Sequence, residues 1–101
     1  MALHGEYKSP GGKLVVVDLK VTEGRLHNVE VSGDFFLEPA EALEDIVGAL
    51  DGASAVAGES ELADRIRRGL REEAELIGFD PESVAIAVRR AVTDGSPRER
   101  A

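Results

Sequence analysis

The chain of 101 residues has no cysteine and no tryptophan. Without thiols there is no disulfide, no thiolate nucleophile, no zinc ribbon and no cysteine-ligated iron–sulfur cluster. A chain without cysteine fits a reducing compartment by default, and the cytoplasm is the expected location. Aromatic residues are scarce, and Tyr7, Phe35, Phe36 and Phe79 are the whole set. His4 and His27 are the only imidazoles. They stand far apart with no third ligand at metal spacing, so no metal site is expected. No apolar run reaches the roughly 18–20 residues that span a bilayer. The N-terminal stretch Met1 to Pro10 is largely polar and shows no signal-peptide pattern.

Positive charge is also in short supply. There are 12 Lys and Arg against 20 Asp and Glu, a formal net charge of −8. That field repels phosphate backbones and anionic lipid, so neither nucleic acid nor a membrane surface is the expected partner. Lysine occurs only as Lys8, Lys13 and Lys20. An arginine-over-lysine, acid-rich surface fits a GC-rich genome or a salt-loving host.

What is present patterns as one domain, residues 1–93, followed by a flexible tail, 94–101. A chain of this length buries roughly 60–70% of its unfolded surface, enough for one modest core. Strands come first. Ser9-Pro10-Gly11-Gly12 is a turn, because proline fixes φ and glycine permits positive φ. Before it, Tyr7 and its neighbours could form a short edge strand. After it, Lys13 to Val21 alternates, with Val15, Val17, Leu19 and Val21 on one face. Thr22-Glu23-Gly24-Arg25 reads as a hairpin connection. The next strand, Leu26 to Ser32, directs Val29 and Val31 to the core, and His27 shares their parity at the sheet end. Gly33-Asp34 interrupts it, and Phe35-Phe36-Leu37 either extends it past a bulge or begins a third strand.

Helices follow. Pro39 is placed as a first helical residue, ahead of the stripe Leu43, Ile46, Val47 and Leu50, with Gly52 as the stop. Residues 53–58 are small and read as a flexible loop. Ser60 caps a second helix that carries Leu62, Ile66, Leu70 and Ile77 inward as far as Gly78. On it, Arg68 with Glu72 and Arg71 with Glu75 stand at i, i+4, the spacing of a salt-bridged solvated face. Asp80-Pro81-Glu82 opens a third helix with Val84, Ala87, Val88, Ala91 and Val92 buried. Strands then helices imply an α+β fold, a small antiparallel sheet with about three helices packed on one face.

Catalytic motifs are missing. There is no Gly-x-Ser-x-Gly, no Ser/His/Asp set and no His-Glu-x-x-His. The run Lys8-Ser9-Pro10-Gly11-Gly12-Lys13 invites a phosphate-loop reading. Its spacing is not that of a Walker loop, and a strand follows where a helix N-terminus would be needed. Its plain reading is a glycine turn between strands with solvated lysines. It is nevertheless a cationic hairpin on an anionic body, where an anionic ligand or partner would go. In Gly33-Asp34-Phe35-Phe36, adjacent strand residues face opposite sides, so one phenylalanine enters the core while its neighbour can face out. An exposed one would mark an interface. Asp34 reads as a turn residue with a local hydrogen bond.

Taken together, Tyr7 to Leu14, Val29 to Pro39, Leu43 to Gly52 and the helix start Gly78-Phe79-Asp80-Pro81-Glu82-Ser83 resemble the C-terminal accessory domain of lipoate–protein ligases. The resemblance covers roughly residues 5–93, and the Lys-x-Pro-Gly-Gly-Lys and Gly-Asp-Phe-Phe segments carry its specificity. It implies the SufE/NifU-like two-layer fold shared with iron–sulfur assembly scaffolds, whose chemistry the lack of cysteine excludes here. It also implies that the chain binds no cofactor alone. A separate catalytic subunit binds ATP, magnesium and lipoate and forms lipoyl-adenylate, in a cytoplasmic heterodimer that serves lipoyl-acceptor domains indirectly. Met1 stands close to the resembling block, with no room for a catalytic domain, so a stand-alone accessory subunit is expected. On this reading Lys8, Gly11, Gly12 and Lys13 approach the substrate phosphates, while Gly33, Asp34, Phe35 and Phe36 contact the catalytic chain. No residue is assigned a catalytic role. The alternative is a protein-interaction module unconnected with lipoate.

Overall fold

Alternating valines and leucines set the frame of the molecule. The computed structural model describes residues 3–93 and 96–97. Strands β1 (Leu3–Lys8), β2 (Leu14–Thr22) and β3 (Arg25–Gly33) form an antiparallel sheet, and a short β6 (Ser96–Pro97) pairs with β1 through Leu3 and His4. The order is β3-β2-β1-β6. The strand expected around Tyr7 is therefore six residues long and lies inside the sheet. Of the tail expected to be flexible, Ser96 and Pro97 belong to the sheet, while the remaining positions of 94–101 lie outside the described residues.

Val15, Val17, Leu19, Leu26, Val29 and Val31 face one side and are buried. Two-residue turn geometry joins β2 to β3, with Glu23 at φ 53° and Gly24 at φ 77°, the pairing that suits the right-handed twist of a hairpin. The register slips between Asp18 and Lys20, and Asn28 on the facing strand has φ 53°. This bulge changes the parity: Leu26, not His27, joins Val29 and Val31 in the core, and His27 is half-buried. Val21, expected in the core, sits opposite Leu26 at the hairpin end and is 38% exposed.

Three helices among the described residues cover the buried face: α1 (Ala42–Leu50), α2 (Glu59–Gly69) and α3 (Pro81–Thr93). The α3 helix lies on β1 and β2, α1 lies beside β3, and α2 packs against both helices. Pro39 does not start α1; it opens a preceding turn in which Ala42 N donates to Pro39 O at 2.9 Å. The α2 N-cap is Gly58 rather than Ser60. Asp80 caps α3 as expected, with Oδ1 accepting from Ser83 N at 2.8 Å and from Ser83 Oγ at 2.6 Å.

Residues 53–58 form the expected loop, and it is pinned to the core. Ala53, Ala55 and Ala57 are buried in alternation, and the segment is tied to β3 by Leu26 N donating to Ala53 O and to the turn before it by Ala55 N donating to Gly24 O, both at 2.8 Å. The second helix also stops early, at Gly69. Beyond Leu70 the next apolar side chain larger than alanine is Leu76, so no stripe holds another turn on the core. The chain instead runs out to β5 (Glu75–Ile77), which pairs with β4 (Phe36–Glu38) as a separate two-stranded ribbon. Ile77 faces outward at 44% exposure, not inward.

Candidate functional site

At one end of the molecule the glycine turn meets two segments remote in sequence. Ser9 N donates to Lys13 O at 2.9 Å and Gly12 N to Ser9 O at 2.8 Å, which closes the turn between β1 and β2. Ser9 is 4% exposed, and its Oγ donates to the Gly78 carbonyl at 2.5 Å. The turn is thereby seated on the Ile77-Gly78-Phe79 bend ahead of α3. The contact requires glycine on both sides. A Cβ at Gly11 would lie 2.8 Å from Gly78 O, and a Cβ at Gly78, whose φ is 89°, would lie 2.3 Å from the Lys13 Cγ.

The Gly33-Asp34-Phe35-Phe36 segment closes the third side. Asp34 does not make the local bond expected of a turn residue. Its Oδ1 accepts from Leu14 N at 2.7 Å, tying the start of β2 to the end of β3. Gly33 is the last residue of β3, opposite Val15. The two phenylalanines part as adjacent strand residues do. Phe35 is half-buried and stacks on Phe79, centroids 4.0 Å apart and planes 23° apart, which anchors the segment to the core. Phe36 is 63% exposed, with the Lys13 ammonium 5.9 Å from its ring centroid, within cation–π range.

Lys8 and Lys13 form no ion pair with a described residue. They leave the turn in different directions. Lys8 follows His4 and Glu6 in outer-face parity on β1, whereas the Lys13 stem lies over Gly78. The structure thus gathers Lys13, Gly11, Gly12 and Phe36 around one turn, with Lys8 at its rim. Three contributors escaped sequence reasoning: Ile77, Gly78 and Phe79. The apolar spacing assigns Ile77 to the second helix, whereas it lies in β5. The Gly-Phe-Asp-Pro run announced a helix start but not that its glycine would seat another loop.

Several other charged side chains pair away from the turn. His4 lies on the open sheet face opposite Asp18, with Nδ1 2.7 Å from Asp18 Oδ1 and Nε2 2.6 Å from Glu6 Oε2. The hydrogen bond to Glu6, then that to Asp18, raises its pKa above the ordinary 6.5. Among the described residues, no group of three His, Cys, Asp or Glu could hold a metal ion. The expected pairs Arg68–Glu72 and Arg71–Glu75 do not form, because α2 ends at Gly69, before Arg71, Glu72 and Glu75. Arg67 pairs with Asp64 and with Glu82 of α3. Arg71 Nε donates to Asp45 Oδ2 at 2.7 Å and clamps the chain leaving α2 onto α1. This bond holds the Asp45 carboxyl below its ordinary pKa.

No protein-family model matches the chain, and no curated protein sequence does either. Among solved structures, a chain from an archaeal lipoylation system of Thermoplasma acidophilum, described as a bi-partite lipoate protein ligase and its E2 lipoyl domain, superposes with a TM-score of 0.72. It is 26% identical, and the alignment covers 88% of this chain and 96% of that one. The similarity relates this chain to lipoylation machinery. No helix among the described residues is long and apolar enough to cross a membrane.

Proposed function

We propose that this chain is the non-catalytic accessory subunit of a split lipoate–protein ligase. Docked on a separate catalytic chain that binds ATP, magnesium and lipoate, it supports activation of lipoate to lipoyl-adenylate. The lipoyl group then passes to a lysine of an acceptor domain. The observation that carries this reading is the match to a chain of a bi-partite lipoate protein ligase system, nearly end to end in both chains. Because the alignment leaves little of either chain over, the matched chain is about as long as this one, the size of a small accessory unit.

The geometry agrees with such a role. Lipoyl-adenylate is a mixed anhydride, and a small domain closing over it excludes water and orders the phosphates. In a chain of net charge −8, the unpaired Lys13 beside a fixed glycine turn is where a phosphate would be met, with Lys8 at the rim. Ser9, Gly11 and Gly78 hold that turn rigid, so the ammonium is positioned before the nucleotide arrives.

The test is pyrophosphate release from ATP and lipoate by the lipoate-ligase catalytic chain of the same genome, with and without this chain. Release should be fast only with both. Lys13→Ala and Lys8→Ala should each lower it by at least about tenfold, as loss of a charge-stabilising donor does. A catalytic chain equally fast alone removes the accessory role. Full activity in both lysine variants removes the phosphate role by itself.

A further inference from the structure

The β4–β5 ribbon carries a surface that the turn does not explain. Its pairing is Phe36 with Ile77, Leu37 with Leu76, and Glu38 with Glu75. Side chains directly opposite each other share a face. Leu37 and Leu76 pack against the core, so the other two rungs face solvent. The outer face is therefore an apolar rung, Phe36 at 63% and Ile77 at 44% exposure, beside an acidic rung in which both glutamates are exposed. The two rungs are about 7 Å apart, two residues along a strand.

The acidic rung works against the free chain. Like charges directly opposite in an antiparallel pair are destabilising. Beyond the rung opens a pocket of about 460 Å³ lined by Leu37, Glu38, Pro39, Ala40, Glu73 and Glu75. It adds a third carboxylate, and no basic residue of this chain is in its lining.

We propose that this outer face seats the catalytic ligase chain. An apolar side chain of that partner packs on the Phe36–Ile77 rung, and an arginine or lysine about 7 Å away enters between Glu38 and Glu75. The choice of occupant rests on the accessory-subunit reading and on charge. A second copy, itself at −8, or any phosphate-bearing polymer meets repulsion at the acidic rung, whereas a basic protein patch relieves it. The face adjoins the turn through the Lys13–Phe36 contact. Docking here would therefore carry Lys13 to the partner's surface.

The test is calorimetric titration of the full chain into the lipoate-ligase catalytic chain of the same genome, with melting curves and sedimentation of each variant. Phe36→Ala should weaken binding about thirtyfold, as loss of an interface anchor does. The double variant Glu38→Gln, Glu75→Gln should bind several-fold more weakly at low salt, lose much of the salt dependence, and melt no lower than the wild type. That combination of weaker binding with undiminished stability separates docking from misfolding. Val56→Ser, at an 86% exposed position in the segment tied to the opposite end of β3, should bind as the wild type does. If the wild type binds and stimulates adenylation but the ribbon variants match it, the docking assignment is overturned and the accessory reading stands. If Val56→Ser weakens binding as much as Phe36→Ala, the contact is unspecific and the assignment falls. It falls also if the wild type forms a dimer that Phe36→Ala dissolves. If the wild type neither binds nor stimulates, both readings fall.

Discussion

At Gly5, in the middle of β1, the sheet and α3 meet backbone to backbone, and replacing this glycine with alanine tests the whole packing scheme. A Cβ there would lie 2.2 Å from the Ala87 carbonyl oxygen and 2.4 Å from the Ala91 nitrogen, both in the α3 backbone. No rotamer change can clear a backbone atom, so α3 must retreat by about 1 Å, an overpacking that costs about 3 kcal/mol, the upper end of the usual range. The retreat is costly because α3 buries Val84, Ala85, Ala87, Val88 and Ala91 against the rest of the core, and a gap of about 0.5–1 Å forfeits about a quarter to a half of each contact's attraction. In a domain of this length 1 kcal/mol moves the melting temperature by about 4–8 °C, so Gly5→Ala should melt about 12–24 °C lower. Urea unfolding should show a lower midpoint at an unchanged slope. Gly48→Ala is the counterpart. Gly48 lies within α1 with no atom within 4 Å of the added Cβ, and alanine there should raise stability by about 0.5–1 kcal/mol through backbone entropy and helix propensity. If Gly5→Ala melts with the wild type, α3 does not lie on β1 as described.

Two pH effects follow from the ion pairs. His4 has its pKa raised by Glu6 and Asp18, so its bridge contributes fully below the unfolded value near 6.5 and is lost as pH rises through the higher folded value. The melting temperature should therefore fall as pH rises from about 6.5, and His4→Gln should flatten that slope; an NMR titration placing His4 at or below 6.5 would refute the bridge. Asp45 has its pKa lowered by Arg71, so its contribution is present above the ordinary carboxylate value and is lost as pH falls through the depressed one. Asp45→Asn should lower stability at neutral pH and leave a shallower acid limb in the same melting series; an unchanged acid limb rules out the clamp between α1 and the end of α2.

Much of the candidate site was legible as residues and little of it as geometry. Lys8, Gly11, Gly12 and Lys13 stood out because a glycine-rich turn with flanking lysines is conspicuous in an acidic chain. The pair Phe35-Phe36 stood out because strand alternation must send one ring each way. Which ring went inward, and onto what, depended on Phe79, 44 positions from Phe35. Ile77, Glu38 and Glu75 went unread because their meaning arises from the pairing of β4 with β5, and a three-residue strand leaves no periodicity to read.

The amino-acid order alone determined the features whose hydrogen bonds close within a few residues. These are the Glu23-Gly24 hairpin turn and the Asp80–Ser83 cap. Tertiary structure decided the rest: where α2 stops, how the Asn28 bulge reassigns Leu26 and His27, and which loop rests on Gly78. The physical reason is the range of the interactions. Asp34 meets Leu14, Ser9 meets Gly78 and Gly5 meets Ala87 only once the layers have closed, and no local propensity encodes such a meeting.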